Sequence, residues 1–92
     1  MGNSPTHPQA EEAVALALSA LAATLADDHR ARRFLDLTGI GTEELRRRAA
    51  EPDLLAALIG FLEAHEPDLI AVADALDVPP TRLVAARLAL SS

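Results

Sequence analysis

The sequence predicts an all-α fold, a compact bundle of five or six short helices joined by tight Gly/Pro turns. Half of the residues are apolar, and most of these are alanine and leucine, which have high helix propensities. They recur at helical spacing, and glycine or proline stands between the periodic segments, where helices end and begin. The segments follow one another so closely that little of the chain is left for a sheet.

A short polar tail precedes a single domain. Residues 1–8 contain two prolines and no apolar periodicity, so we predict a disordered N-terminal tail. Residues 9–92 are predicted to form one helical domain, because a chain of this length is sufficient for one core without cross-links. The tail lacks the charged and then apolar pattern of a signal peptide, which predicts a cytoplasmic protein.

The first helix is predicted from Gln9 to Ala26, with Glu11 and Glu12 in the first turn, where the helix dipole favours acids. It is apolar or small on nearly all sides, which indicates a central helix surrounded by its neighbours. It is too short to span a bilayer. One stripe contains Val14, Leu18, Leu21 and Leu25. Leu16 falls outside that stripe, and a second interpretation makes the remaining apolar side a homodimer surface.

The second helix is predicted from Asp27 to Thr38, and Asp27 or Asp28 can cap its N-terminus. Gly39 follows at the position of a left-handed C-cap, and Ile40 packs back on the last turn. The predicted inward face contains Ala31, Phe34, Leu35 and Thr38, with Leu37 beside them. The predicted outward face contains Arg30, Arg32, Arg33 and Asp36.

Four further helices follow. Thr42 is placed to cap a third, which ends by Ala50 because Pro52 restrains the residue before it. The others are predicted at residues 52–65, 67–76 and 80–90. Gly60, inside the fourth, indicates a close helix crossing. The predicted inward face of the fifth contains Leu69, Ile70, Val72, Ala73 and Leu76.

The fourth and fifth helices begin with nearly the same letters, EPDLLA and EPDLIA. Proline in the first turn followed by an acid is typical of helix starts, because the proline needs no hydrogen-bond partner there and the acid meets the positive end of the dipole. We interpret both as helix-start chemistry, and not as a functional motif.

Two turns share one cadence that is typical of helix-turn-helix units: Gly39-Ile40 corresponds to Asp77-Val78. In DNA-binding proteins the second helix of such a unit presents outward side chains to the major groove. The predicted outward side chains of the last helix are Thr81, Arg82, Ala85, Ala86 and Arg87. The third helix leads with two acids, and the net charge is −6, so nucleic-acid binding is the alternative and not the main prediction.

All eight cationic residues are arginine. The candidate interaction surface consists of Arg30, Arg33, Arg46, Arg47 and Arg48. Planar guanidinium groups suit an acidic protein partner or a phosphate. The competing interpretation is a solvated helix face, because acids lie one helical turn from the arginines. The pairs in question are Glu43–Arg47, Glu44–Arg48, Asp28–Arg32 and Arg32–Asp36.

Catalysis is not predicted. Cysteine is absent, and the histidines, His7, His29 and His65, are scattered without a second ligand one turn away. No glycine loop follows a strand, so nothing predicts a phosphate cradle. We therefore predict no catalytic residue, no metal and no cofactor. The predicted function is a regulatory or adaptor module that binds a protein partner, with no membrane attachment.

Three stretches resemble a known family: AEEAVALALSALAATLADD, FLDLTGIGTEELRRRAAEPDLLAALIGFL and ALDVPPTRLVAARLAL. The sequence is similar to a family of short bacterial proteins, frequent in alphaproteobacteria, known as domain of unknown function number thirty-five seventy-two. The resemblance extends from about Ala10 to Leu90. It implies an all-helical fold and attaches no activity or ligand. One departure is the pair Pro79-Pro80, where a single proline is expected, so the last helix starts at Pro80 or Thr81.

Overall fold

The fold is described by a computed structural model of residues 8–91. This part of the chain contains six helices and no strand, which confirms the predicted all-α class. The helices are α1 (Pro8–Leu25), α2 (Asp28–Thr38), α3 (Thr42–Arg48), α4 (Pro52–Glu63), α5 (Glu66–Leu76) and α6 (Pro80–Ser91). Every boundary lies within two residues of its predicted position. Pro8, assigned to the tail, begins α1, whereas the rest of the predicted tail lies outside the described residues.

The core lies between α1, α4 and α6, which contact one another extensively. Helix α5 packs on all three of these helices, and α2 packs on α1. The largest fully buried side chains include five from α2, α4 and α6: Phe34, Leu55, Leu58, Leu62 and Leu83. Helix α1 therefore contacts four other helices, which confirms the interpretation of α1 as a central helix.

The buried face of α1 only partly follows the stripe that was read from the sequence. Ala13, Ala17 and Ala20 are buried, whereas Leu18 is exposed. Alanine brings the helix backbones close together, so the leucines of the neighbouring helices fill the space against α1. Thr24 is also fully buried, and its hydroxyl donates to the Ala20 carbonyl at 2.8 Å. Of the stripe read from the sequence, Leu21 is buried, Val14 and Leu25 are partly buried against the core, and Leu18 alone is exposed.

The left-handed turn predicted at Gly39 is present, and the corresponding turn at Asp77 is left-handed as well. Gly39 has φ 72°, and its N–H donates to the Leu35 carbonyl at 2.9 Å. Asp77 has φ 58°; its N–H donates to Asp74, and the Val78 N–H donates to the Ala73 carbonyl at 3.0 Å. The first is the simple left-handed cap and the second the Schellman motif. The two turns with the shared cadence thus have the same left-handed backbone conformation, although their hydrogen-bond patterns differ.

Three local predictions were wrong. Helix α3 begins one residue early, so Thr42 lies in its first turn and Gly41 is the N-cap. Gly60 marks no close crossing, because beyond its chain neighbours and its own helical backbone no described atom lies within 4 Å of where its Cβ would be. Ile70, predicted inward, is exposed, because α5 turns only part of its broad apolar face to the core. Asp27 caps α2 as predicted, accepting the Arg30 N–H at 2.9 Å.

Candidate interaction surface

The five candidate arginines do not share one environment. Arg30 and Arg33, predicted to face water, instead bind Asp68 of α5. Arg30 Nε donates to Asp68 Oδ1 at 3.0 Å, and Arg33 Nη2 donates to Oδ2. Since both carboxylate oxygens are used, Asp68 joins α2 to α5. These two arginines therefore support the fold through Asp68.

Asp68 is the residue that the sequence interpretation missed. It is only 5% exposed, whereas Asp53, at the same place in the related helix start, is exposed. Burial by itself favours the neutral acid, but the hydrogen bonds and charges of Arg33 and Arg30 outweigh it, so the pKa of Asp68 is lowered. The two helix starts have the same local sequence, so only partners distant in sequence distinguish them.

Arg33 also covers an aromatic pair. Its guanidinium carbon lies 5.3 Å from the ring centroid of Phe61, a cation–π distance. The rings of Phe61 and Phe34 meet edge to face with centroids 5.3 Å apart. Asp68 thus holds Arg33 in place, and Arg33 lies over the ring that forms part of the adjoining surface.

A surface pocket opens beside this cluster, and we call it the α2–α4 pocket. It has a volume of about 460 Å³. Its lining residues come from α2 and from the end of α4: Arg33, Asp36, Leu37, Phe61, Ala64 and His65. Leu37, Phe61 and Ala64 supply apolar surface, and the polar groups stand around them. This is the usual composition of a site that accepts an apolar side chain with polar neighbours.

Leu37 is the most exposed large apolar side chain of the described residues, at 72%. Its predicted place beside the inward face was wrong, and so was that of Thr38, which is exposed and donates to the Phe34 carbonyl. Leu37 shares a stripe with Arg30 and Arg33, at steps of three and four residues. Those two arginines are partly buried against Asp68, so the stripe alone does not predict the exposure of Leu37.

The three arginines of the run on α3 also differ in their environments. Arg48 binds Glu44 at 3.1 Å, as predicted, and Glu51 at 2.8 Å, which was not predicted. These hydrogen bonds and charges, Glu51 first, raise the pKa of Arg48. Arg46 and Arg47 are exposed and form no ion pair with any residue that the structure describes. The predicted Glu43–Arg47, Asp28–Arg32 and Arg32–Asp36 pairs are likewise not formed.

The α2–α4 pocket and the arginine run on α3 both lie in a region that matches a known protein family. The model of a family described as "Protein of unknown function (DUF3572)" matches residues 10–92. The chain belongs to the DUF3572 family. This confirms the resemblance predicted from the sequence. No match was found among curated proteins or among solved structures. The matched region contains all the residues that line the α2–α4 pocket.

The last helix of this DUF3572 domain offers less outward polar surface than predicted. Ala86 is buried, and Arg87 binds Glu63 of α4 through both Nε and Nη2. Glu63 raises the pKa of Arg87 through these hydrogen bonds. Thr81, Arg82 and Ala85 remain exposed. Two of the five predicted outward residues therefore have structural roles.

Among residues 8–91, no three His, Asp or Glu side chains lie close enough together to hold a metal ion. No helix in the same range combines the length and the apolarity needed to cross a membrane. His29 and His65 are both exposed, and only His65 lines the pocket.

Proposed function

We propose that this DUF3572 protein is a small binding module that docks a segment of another protein in the α2–α4 pocket, in the bacterial cytoplasm. One observation carries the proposal: Leu37, a large apolar side chain, is 72% exposed at the edge of a pocket that also contains Phe61. Exposed apolar surface around a concavity is typical of interaction sites. The proposed role is binding and not catalysis.

The charges of the pocket indicate the chemistry of the partner. Arg33 already uses one of its N–H groups to bind Asp68, an acid that it shares with Arg30. Asp36 is exposed and has no ion pair within the described part of the chain. The net charge of −6 also attracts cations over longer distances. We therefore infer a segment with an apolar side chain next to a Lys or Arg.

The apolar contact sets the scale of the affinity. Fully burying a leucine contributes roughly 1.5–3 kcal/mol, and most of Leu37 is available for burial. A change of about 1.4 kcal/mol alters a dissociation constant tenfold. Removing the Leu37 side chain is therefore expected to weaken binding about tenfold. Because the side chain is exposed in the free domain, the same change affects the fold little.

The proposal can be tested with short random peptides displayed on phage and selected on the immobilised domain. Enriched peptides are expected to combine a large apolar residue with a neighbouring Lys or Arg. Titration with the enriched synthetic peptides then compares wild type, Leu37→Ser and Ile70→Ser. Ile70 is the matched control, because it is an exposed apolar residue on α5 outside the pocket.

The expected result is equal binding by wild type and Ile70→Ser and about tenfold weaker binding by Leu37→Ser. Asp36→Asn should weaken the binding of basic peptides and reduce its dependence on salt. Failure to enrich any peptide, or enriched peptides that bind Leu37→Ser as tightly as wild type, would contradict the proposal.

A further inference from the structure

A second groove lies between α1 and α6, away from the α2–α4 pocket. It has a volume of about 310 Å³. Ala13 and Leu16 of α1 line it from one side, and Ala85 and Ala86 of α6 line it from the other. Ala13 and Ala86 are buried, Leu16 is half-buried and Ala85 is exposed. The groove therefore has a buried apolar floor that opens towards solvent.

Two residues of opposite charge line this groove, one on each helix. Glu12 belongs to α1 and Arg82 to α6, and both side chains are exposed. Neither forms an ion pair with any residue that the structure describes, although both line the same groove. The charge at this surface is thus balanced, in a chain whose net charge is −6. Two copies of the chain can approach here without local repulsion.

We propose that the groove is the interface of a homodimer, occupied by α1 and α6 of a second copy. A two-fold axis in the interface plane can exchange the positions of Glu12 and Arg82. Such an axis places Glu12 of each copy against Arg82 of the other, so the surface is complementary to itself. An unrelated partner needs two separate groups, one basic and one acidic, to pair with Glu12 and Arg82. A second copy of the chain supplies both groups.

The outer face of α6 supports the same occupant. Leu88 is 56% exposed and lies three residues after Ala85, so the two side chains share one face of the helix. Leu88 does not line the groove, so a second copy that reaches it must cover the outer side of α6 beyond Ala85. This places the dimer surface on α6 as well as on the first helix, and the interface is separate from the residues that line the α2–α4 pocket.

Charge reversal provides the test. Sedimentation equilibrium over a concentration series compares wild type, Glu12→Arg, Arg82→Glu and the double variant. Wild type is expected to dimerise. Each single variant places like charges in two symmetric contacts, so its dimer dissociation constant should rise about tenfold or more. The double variant exchanges the two signs and should restore the wild-type constant. Circular dichroism checks that every variant is folded.

Arg46→Glu is the matched control, because it reverses an exposed arginine on α3 outside the groove and should leave dimerisation unchanged. A wild-type chain that stays monomeric at every concentration overturns the proposal. Dimerisation that is insensitive to the single reversals, or that the double variant fails to restore, overturns it as well. Leu37→Ser should not affect the dimer, so this result and the peptide result can fail separately.

Discussion

Asp68 binds Arg33 across 35 residues of sequence, and the same guanidinium lies over the ring of Phe61. One carboxylate therefore positions a side chain that lines the α2–α4 pocket, while Arg30 uses its other oxygen. The buried acid joins α5 to α2, two helices without extensive contacts in the core. This ion pair therefore fixes the position of Arg33, which forms part of the lining of the α2–α4 pocket.

Asp68→Asn is expected to destabilise the domain. The amide keeps the shape of the side chain, but it loses the charge and one of the two acceptors that Arg30 and Arg33 use. A hydrogen bond to a charged group contributes about 1.5–3 kcal/mol, and the arginines regain some hydration, so we expect a loss of about 2 kcal/mol. Urea unfolding at neutral pH measures it.

Asp74→Asn is the matched control for that loss. Asp74 lies on the same helix, is exposed and has no ion pair with any described residue. Its substitution should change the free energy of unfolding by less than about 0.5 kcal/mol, as is usual for surface positions. Equal effects of the two substitutions would show that the Asp68 ion pairs contribute nothing specific.

The contribution of Asp68 is also expected to depend on pH. Its folded-state pKa lies below the ordinary value of 3.8, because the two arginines outweigh the effect of burial. A carboxyl group whose pKa is lower in the folded state contributes its full stabilisation at pH values above its unfolded-state pKa. That stabilisation is lost as the pH falls through the folded-state pKa. Both guanidinium groups stay charged throughout. The stability difference between wild type and Asp68→Asn should therefore be constant at neutral pH and shrink below about pH 4.

Urea midpoints of the two proteins, taken from neutral pH downwards, measure this difference. The comparison must be between variants, because the Arg30 backbone N–H also lowers the pKa of Asp27 and gives a loss of stability in the same direction. A difference that stayed constant into strong acid would exclude Asp68 as its source.

Local sequence predicted the backbone better than it predicted the surface. Helix boundaries, the Asp27 cap and the left-handed turn at Gly39 depend on residues within a few positions, and these predictions were confirmed. The partners of Asp68 lie 35 and 38 residues away, and no local pattern contains them. Arg30 and Arg33 therefore looked like solvated cations, because their acid could not be identified before the helices were assembled.

The sequence did not identify which side of α1 is buried, for a different reason. The sequence shows many apolar residues on every side, and helical periodicity cannot choose among several apolar stripes. The choice is made by which stripe allows the closest packing, and here it is the one with Ala13, Ala17 and Ala20. Leu37 is a related case, since it is exposed while Arg30 and Arg33 on the same stripe are partly buried against Asp68, and local spacing cannot separate them.

Two glycines are expected to respond to alanine with opposite signs. Gly39 has φ 72°, where a side chain is strained, so Gly39→Ala should cost roughly 1–2 kcal/mol. Gly60 lies inside α4 with open space where its Cβ would be, so Gly60→Ala should stabilise the domain by roughly 0.5–1 kcal/mol. Each kcal/mol shifts the melting temperature of a domain of this size by roughly 4–8 °C, which thermal unfolding resolves easily.

Gly39→Asn separates strain from other causes, because asparagine tolerates the left-handed conformation better than alanine does. It should cost less than Gly39→Ala. A loss of stability in Gly60→Ala would indicate that a Cβ at that position meets a neighbour, and would restore the close helix crossing that the sequence predicts there. Equal losses in the two Gly39 variants would mean that the turn tolerates no side chain, whatever its backbone preference.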